Sequence, residues 1–334
     1  MEKYQRILGS FLGAAMGDAM GANTECRTPE MIVERFGGYL EDLRPGEEDT
    51  FVPGCARGFV TDDFSLAYFT AKSILESGGN VTADTAQKAL LEWAGHPEYY
   101  CLAGPTTRAA VDRIKGISEP DKALWKLACD NAKATNGAAM KIFPAGLANP
   151  GNLEKAVSDA VTLCLPTHNN CASLSAACAI AAAVSCAAGG GNLNQIIEAG
   201  FYGVREGAKY GKTVSVASVE RRMELAMEIA EKKLGWEKTM LELGSVIGSG
   251  LAANEAVPCV FGILATADGD VMQAVKMGVN IGNDTDTVAT MAGAITGAFC
   301  GADLIPEEYL ELIEKANHMD IKEMARQFEK EFYL

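Results

Sequence analysis

The chain has 334 residues, enough to bury a large core in one domain or in two modest ones. Its composition, 48% hydrophobic and 22% charged, is that of an ordinary globular protein and excludes intrinsic disorder. The 29 basic against 44 acidic residues give a net charge of -15, which repels a phosphate backbone and an anionic bilayer, so neither nucleic acid nor a membrane is an expected partner.

The opening stretch, "MEKYQRILGSFLGAAMGDAM", lacks the basic segment, apolar run and small-residue cleavage site of an export signal, and no export is expected. Helical periodicity then recurs in runs separated by Gly, Pro and Asn: 4–22, 64–76, 84–94, 171–188, 193–210, 219–234, 255–267, 270–279, 288–300 and 306–316. Alternating strand-like segments are scarce, so the expected fold is all-α. No low-complexity linker or solenoid period divides the chain, and residues 1–334 are expected to form one domain. The longest apolar run, 171–188, is mostly Ala, Ser and Cys and falls short of the ~20 residues of a spanning helix. It reads as a buried helix.

Ten cysteines include no C-x-x-C pair, and Cys164, Cys171 and Cys178 recur at helical spacing in Ala-rich sequence. This is the pattern of reduced core thiols and points to a cytoplasmic location. Three histidines and no cysteine ligand cluster leave little from which to build a zinc site, so any metal would be held by oxygen.

In the first helical run Gly9, Gly13, Gly17 and Gly21 recur at every fourth position and form one stripe. Each glycine costs ~1 kcal/mol relative to Ala in a helix, and close approach of another backbone is the simplest offset. This helix is expected to be central. The "GDAMGANTE" that ends it carries Asp18 and Glu25. Taken alone, they read as a satisfied buried carboxylate and a surface acid.

Thr61, Asp62 and Asp63 precede the helical run in "GFVTDDFSLAYFTAKSILE". An N-cap with acids favoured by the helix macrodipole accounts for one or two of them. A second cluster, "GNDTDT", places Asp284 and Asp286 between small and apolar residues. Residues two apart on a helix point to nearly opposite sides, so these carboxylates converge only if the segment is a turn at the mouth of the following helix. Gly282 and Asn283 permit one. Converging carboxylates in an apolar setting must take up a proton or gain a cation. Four carboxylates and two threonine hydroxyls are an all-oxygen set suited to Mg²⁺ or Mn²⁺, including a pair of ions. The competing reading is two independent capped helices.

The segments "GAAMGDAMGANTE", "TDDFSLA", "NGAAMKIFPAGL", "THNN" and "GNDTDTVATMAGAI" appear in the order and approximate spacing of the ADP-ribosylglycohydrolase family, which the chain resembles from Ile7 to about Ile305. That family includes the dinitrogenase reductase activating glycohydrolases. The resemblance implies a compact all-α orthogonal multi-helix bundle with a binuclear Mg²⁺ or Mn²⁺ centre. It also implies hydrolysis of the bond from C1 of a terminal ribose to a protein side chain or small acceptor. Carried over residue by residue, it makes Thr61, Asp62, Asp63, Asp284, Asp286 and Thr287 the metal ligands and Glu25 the acid beside them, the candidate for proton transfer. Asn136, Gly137 and Ala138 match a loop that lies against ribose and diphosphate. His168 matches a position near that diphosphate, and Gly104 in "GPTTRAA" falls in the substrate cleft.

Two departures from the family pattern bear on substrate choice. Phe64 stands where T-D-D-T has its last hydroxyl, and Asn283 stands for a more usual Gly. Phe64 can fill space in the cleft, stack on a base or simply pack in the core. The expected activity is a metal-dependent release of ADP-ribose. Cleavage of a smaller nucleoside-type ribosyl compound, and an inactive binding or structural relative, are the alternatives.

Overall fold

The computed structural model describes residues 1–117 and 128–333. Among the described residues there are seventeen α-helices and three short 3-10 turns, with isolated bridges in place of strands. The all-α expectation holds. Buried apolar side chains form one contiguous cluster from Ile7 to Tyr333. The apolar helix Cys171–Ala188 is long and apolar enough to cross a membrane by length and composition, yet 89% of it is buried inside the fold.

The glycine stripe explains what lies at the centre. Helix Lys3–Gly21 packs back to back with helix Thr285–Cys300. A Cβ placed on Gly9, Gly13 or Gly17 would stand 2.3 Å from the carbonyl oxygens of Gly297, Gly293 and Ala289 respectively. The partner returns the fit, since a Cβ on Gly293 or Gly297 would meet Gly13 O at 2.1 Å or Gly9 O at 2.0 Å. Two matched small-residue faces thus bring the backbones into contact, and dispersion over the whole length offsets the conformational cost of the glycines. Ser10 reinforces the seam by donating to Ala294 O at 2.8 Å.

The same seam carries the functional segments. Glu25 follows the C-terminus of the first helix, and Asp284 and Asp286 lie at the N-terminus of its partner. Thr285 Oγ1 donates to Gly21 O at 3.0 Å across the two ends, and Thr24 Oγ1 donates to Val279 O at 2.6 Å in the preceding helix Val271–Asn280. The two ends are therefore held together by hydrogen bonds as well as by packing.

Candidate active site

Helix Asp62–Glu76 begins with Thr61 as its N-cap, whose hydroxyl accepts from Asp63 N at 3.3 Å. Asp62 and Asp63 fill the first turn, where the helix dipole favours negative charge. Asp18 reaches across from the first helix and accepts from Thr61 N at 2.9 and 3.0 Å and from Phe64 N at 2.8 Å. It is the satisfied buried carboxylate expected of it. Its partners give it a further task, because they fix the turn that carries Thr61, Asp62 and Asp63.

The second cluster converges at a turn at the mouth of its helix, as expected, with Gly282 at φ 89° and Asn283 also at positive φ. The helix starts at Thr285 rather than at 288, so Asp286 already lies within its first turn. Asp284 is the N-cap residue with φ -93° and ψ 66°. That non-helical conformation removes the opposition that two helical residues at this spacing would face. Asn283 before it has φ 64°, a left-handed conformation that Asn tolerates better than most residues and Gly best. Asn283 N donates to Arg27 O at 2.9 Å, and Cys26 N donates to Asn283 O at 2.7 Å, pairing the Glu25 loop with the Asp284 loop.

These segments meet in a cleft of about 320 Å³ whose lining includes Glu25, Thr61, Asp62, Asp63, Asp284, Asp286 and Thr287. One carboxylate oxygen from each of Glu25, Asp284 and Asp286 lies within 4.8 Å of the others. Burial, reinforced by neighbouring carboxylates, pushes Glu25 and Asp62 up to about 8 and Asp63 and Asp286 well above the usual range. Asp18 is raised to about 6 by burial, held back by the backbone donors of Phe64 and Thr61. Asp284 is raised by burial against hydrogen bonds from Asn136 and from the Asp286 and Thr287 side chains.

Without cations such a cluster must hold protons; with them it is an oxygen cage. The Asp63 Oδ2 atom is buried without a hydrogen-bond partner, and the donors are carboxylates and hydroxyls throughout. Both features fit hard divalent cations.

Asn136, Gly137, His168 and Gly104 also line the cleft. The Asn136 amide donates to Asp284 Oδ2 at 2.5 Å, so its side chain orients a carboxylate. Asn136 N donates to Leu251 O at 2.9 Å, which pins the loop to the opposite wall. A Cβ on Gly137 would stand 3.0 Å from His168 Cε1, so the bare glycine lets the ring lie against the backbone. Gly104 is the N-cap residue of helix Pro105–Ile114 and forms part of the wall.

Ala138 is not brought to the cleft. It is fully buried in the 3-10 turn Asn136–Ala138, where successive side chains point about 120° apart. With its two predecessors facing the cleft, the third faces the core. Phe64 is likewise turned inward, fully buried and stacked on Phe143 at 6.4 Å. It packs the core and supports no claim about substrate size.

Thr135, in the same loop as Asn136, also lines the cleft. Sequence reasoning did not single out Lys141, which ends the "NGAAMK" segment and is buried, because its partner Thr167 lies 26 positions along the chain.

The ADP-ribosylglycohydrolase family profile matches residues 1–334. The chain belongs to the ADP-ribosylglycohydrolase family. Among similar proteins, the uncharacterized protein YegU of Escherichia coli K12 is 30% identical over 97% of this chain and 96% of its own length. The ADP-ribosylhydrolase ARH3 of Homo sapiens is 27% identical over 97% of this chain and 94% of its own length. The ADP-ribosylarginine hydrolase Tri1 of Serratia proteamaculans is 26% identical over 93% of this chain and 75% of its own length. A solved structure, described as an ADP-ribosylglycohydrolase-related protein complex, aligns at a TM-score of 0.71 and 23% identity over 99% of both chains. This likeness shows that the fold is the ADP-ribosylglycohydrolase one.

Proposed function

We propose that the chain is a metal-dependent glycohydrolase that cleaves the C1 bond of a terminal ribose, releasing ADP-ribose from a protein side chain or small acceptor. The observation that carries this reading is the convergence of two acidic clusters and Glu25 in one cleft, with a buried Asp63 oxygen left unpartnered. Relatives named as ADP-ribosylhydrolase and ADP-ribosylarginine hydrolase support the ADP-ribosyl substrate.

Thr61, Asp62, Asp63, Asp284, Asp286 and Thr287 would hold two divalent ions, Mg²⁺ or Mn²⁺. When bound, the ions supply a water of lowered pKa and a hold on the ribose hydroxyls. The surrounding carboxylates suit a positively charged, oxocarbenium-like transition state. Glu25 is half-buried at the cleft, beside the cluster, and its carboxyl is the proton carrier of the reaction. Asn136 holds Asp284 in place, and Asp18 holds the Thr61–Asp63 turn. The ten unpaired cysteines support work in a reducing compartment, the cytoplasm.

Competitive binding of ADP-ribose, a nucleoside and ribose to the metal-loaded protein tests the substrate. ADP-ribose should bind most tightly. A nucleoside that binds and is cleaved while ADP-ribose does neither would replace this reading with a nucleoside-type hydrolase.

A further inference from the structure

Helix Glu307–Asn317 ends on an asparagine whose side chain turns into the fold rather than to solvent: Asn317 is 6% exposed. It lies beyond Ile305, where the likeness of sequence motifs ends. Its Nδ2 donates to Gly58 O and to Ile313 O, each at 2.8 Å, and its Oδ1 accepts from Val60 N at 3.0 Å. Tyr99 Oη donates to Asn317 O at 3.1 Å. Both donor protons and the acceptor of this one buried amide are therefore in use, which fixes its orientation.

Gly58 and Val60 belong to the lead-in to Thr61, Asp62 and Asp63. Gly58 has φ 90°, and a Cβ on it would stand 3.2 Å from Ile313 N, so the lead-in lies against the helix that carries Asn317. Phe59, between them, stacks on Tyr99 at 5.6 Å. Beyond the lead-in, Asp18 accepts from Thr61 N and Phe64 N. The turn is thus gripped twice, by an amide on residues 58 and 60 and by a carboxylate on residues 61 and 64. A firm grip is needed there, because Asp62 and Asp63 line a cleft with the other carboxylates and repulsion among them drives the turn outward unless the backbone is held. Asp63 Oδ2 has no hydrogen bond of its own, so its direction is set by that backbone.

We propose that Asn317 is a positioning residue of the metal centre, which sets Thr61, Asp62 and Asp63 through Gly58 and Val60 without touching ion or substrate. Ligands held in place by hydrogen-bonded neighbours bind a cation more tightly than ligands that must first be ordered. Alanine at 317 would leave Gly58 O and Val60 N without this partner in a buried place, and the lead-in would loosen. The helix Glu307–Asn317 thereby contributes to a site whose ligands all lie elsewhere in the chain. The assignment rests on the metal-dependent reading, and its test separates the two.

Calorimetric titration of the full-length protein with Mg²⁺ and with Mn²⁺, beside thermal melts, reads this role. Asn317→Ala should weaken the binding of both ions about tenfold. Leu310→Ala, in the same helix and 4% exposed, should lower Tm and leave metal affinity unchanged. An equal loss of metal affinity in the two variants would reduce Asn317 to a stability role and overturn the proposal. In the wild type, saturating Mg²⁺ should shift the NMR signals of the Asn317 side-chain amide and leave those of Asn149, bonded to Ala145 O and Asp159 Oδ2, in place. Unmoved Asn317 signals in a metal-bound protein would also overturn the proposal, and this reading stands if Asn317→Ala does not fold. A wild type that binds neither ion would overturn it together with the metal-dependent reading, whereas undiminished metal binding in folded Asn317→Ala would overturn it alone.

Discussion

Gly21 lies against the backbone of Asp286: a Cβ on Gly21 would stand 2.3 Å from Asp286 Cα. The last glycine of the stripe therefore sets the position of a carboxylate of the candidate site directly. Gly21→Ala should force the start of helix Thr285–Cys300 away and weaken metal binding strongly. Gly13→Ala meets Gly293 O instead and should act on stability, by about 1–3 kcal/mol or more. Calorimetric metal titration beside thermal melts distinguishes the two, and equal metal affinity in folded Gly21→Ala would contradict the coupling.

If the two acidic clusters share one centre, Asp62→Asn and Asp286→Asn should each lower metal affinity sharply. The rise in Tm on adding Mg²⁺ or Mn²⁺, expected of the wild type by linkage, should shrink in both. Undiminished metal binding in both variants, measured by calorimetry, would separate the clusters.

The raised carboxyls make the metal-free protein pH-sensitive. Glu25 and Asp62 stand at about 8 when folded, against roughly 4 for unfolded side chains. Between these values the folded state binds more protons than the unfolded one. Their stabilisation is thus complete below the ordinary carboxylate range and is lost as pH rises towards 8. The metal-free Tm should fall from about pH 5 to about pH 8, and added metal should raise Tm more at the upper end, where the ligands ionise. A metal-free Tm that climbs across this window would count against the buried cluster.

Much of this arrangement was legible in the sequence, for reasons that differ by element. Helix Cys171–Ala188 matches its expected bounds because its apolar run is long and ends at Gly189. The glycine stripe announced a close backbone contact but not its partner, since Gly293 and Gly297 are hundreds of residues away. Helix Ile321–Phe332 escaped notice among its charges, although Ile321, Met324, Ala325 and Phe328 bury one face at helical spacing. The acids at the mouth of the site were readable as motifs. Asp18 was not readable as the support of the Thr61–Asp63 turn, because its hydrogen-bond partners lie 43 and 46 positions away.

Glu25→Gln should keep the fold and most of the metal affinity, because the amide retains the shape of the carboxyl. Turnover should drop by ~10² to 10⁴, the range for a positioned acid or base. Steady-state kinetics beside a melting curve checks this, and near wild-type turnover in a folded variant would remove Glu25 from the chemistry.

The most direct test of the central claim is a chromatographic product assay on proteins ADP-ribosylated at arginine or at serine, with Mg²⁺ or Mn²⁺ supplied or removed by chelation. The account predicts ADP-ribose released from at least one substrate only while metal is present. Release that persists after chelation, or cleavage of a nucleoside with every ADP-ribosyl substrate left intact, would contradict it.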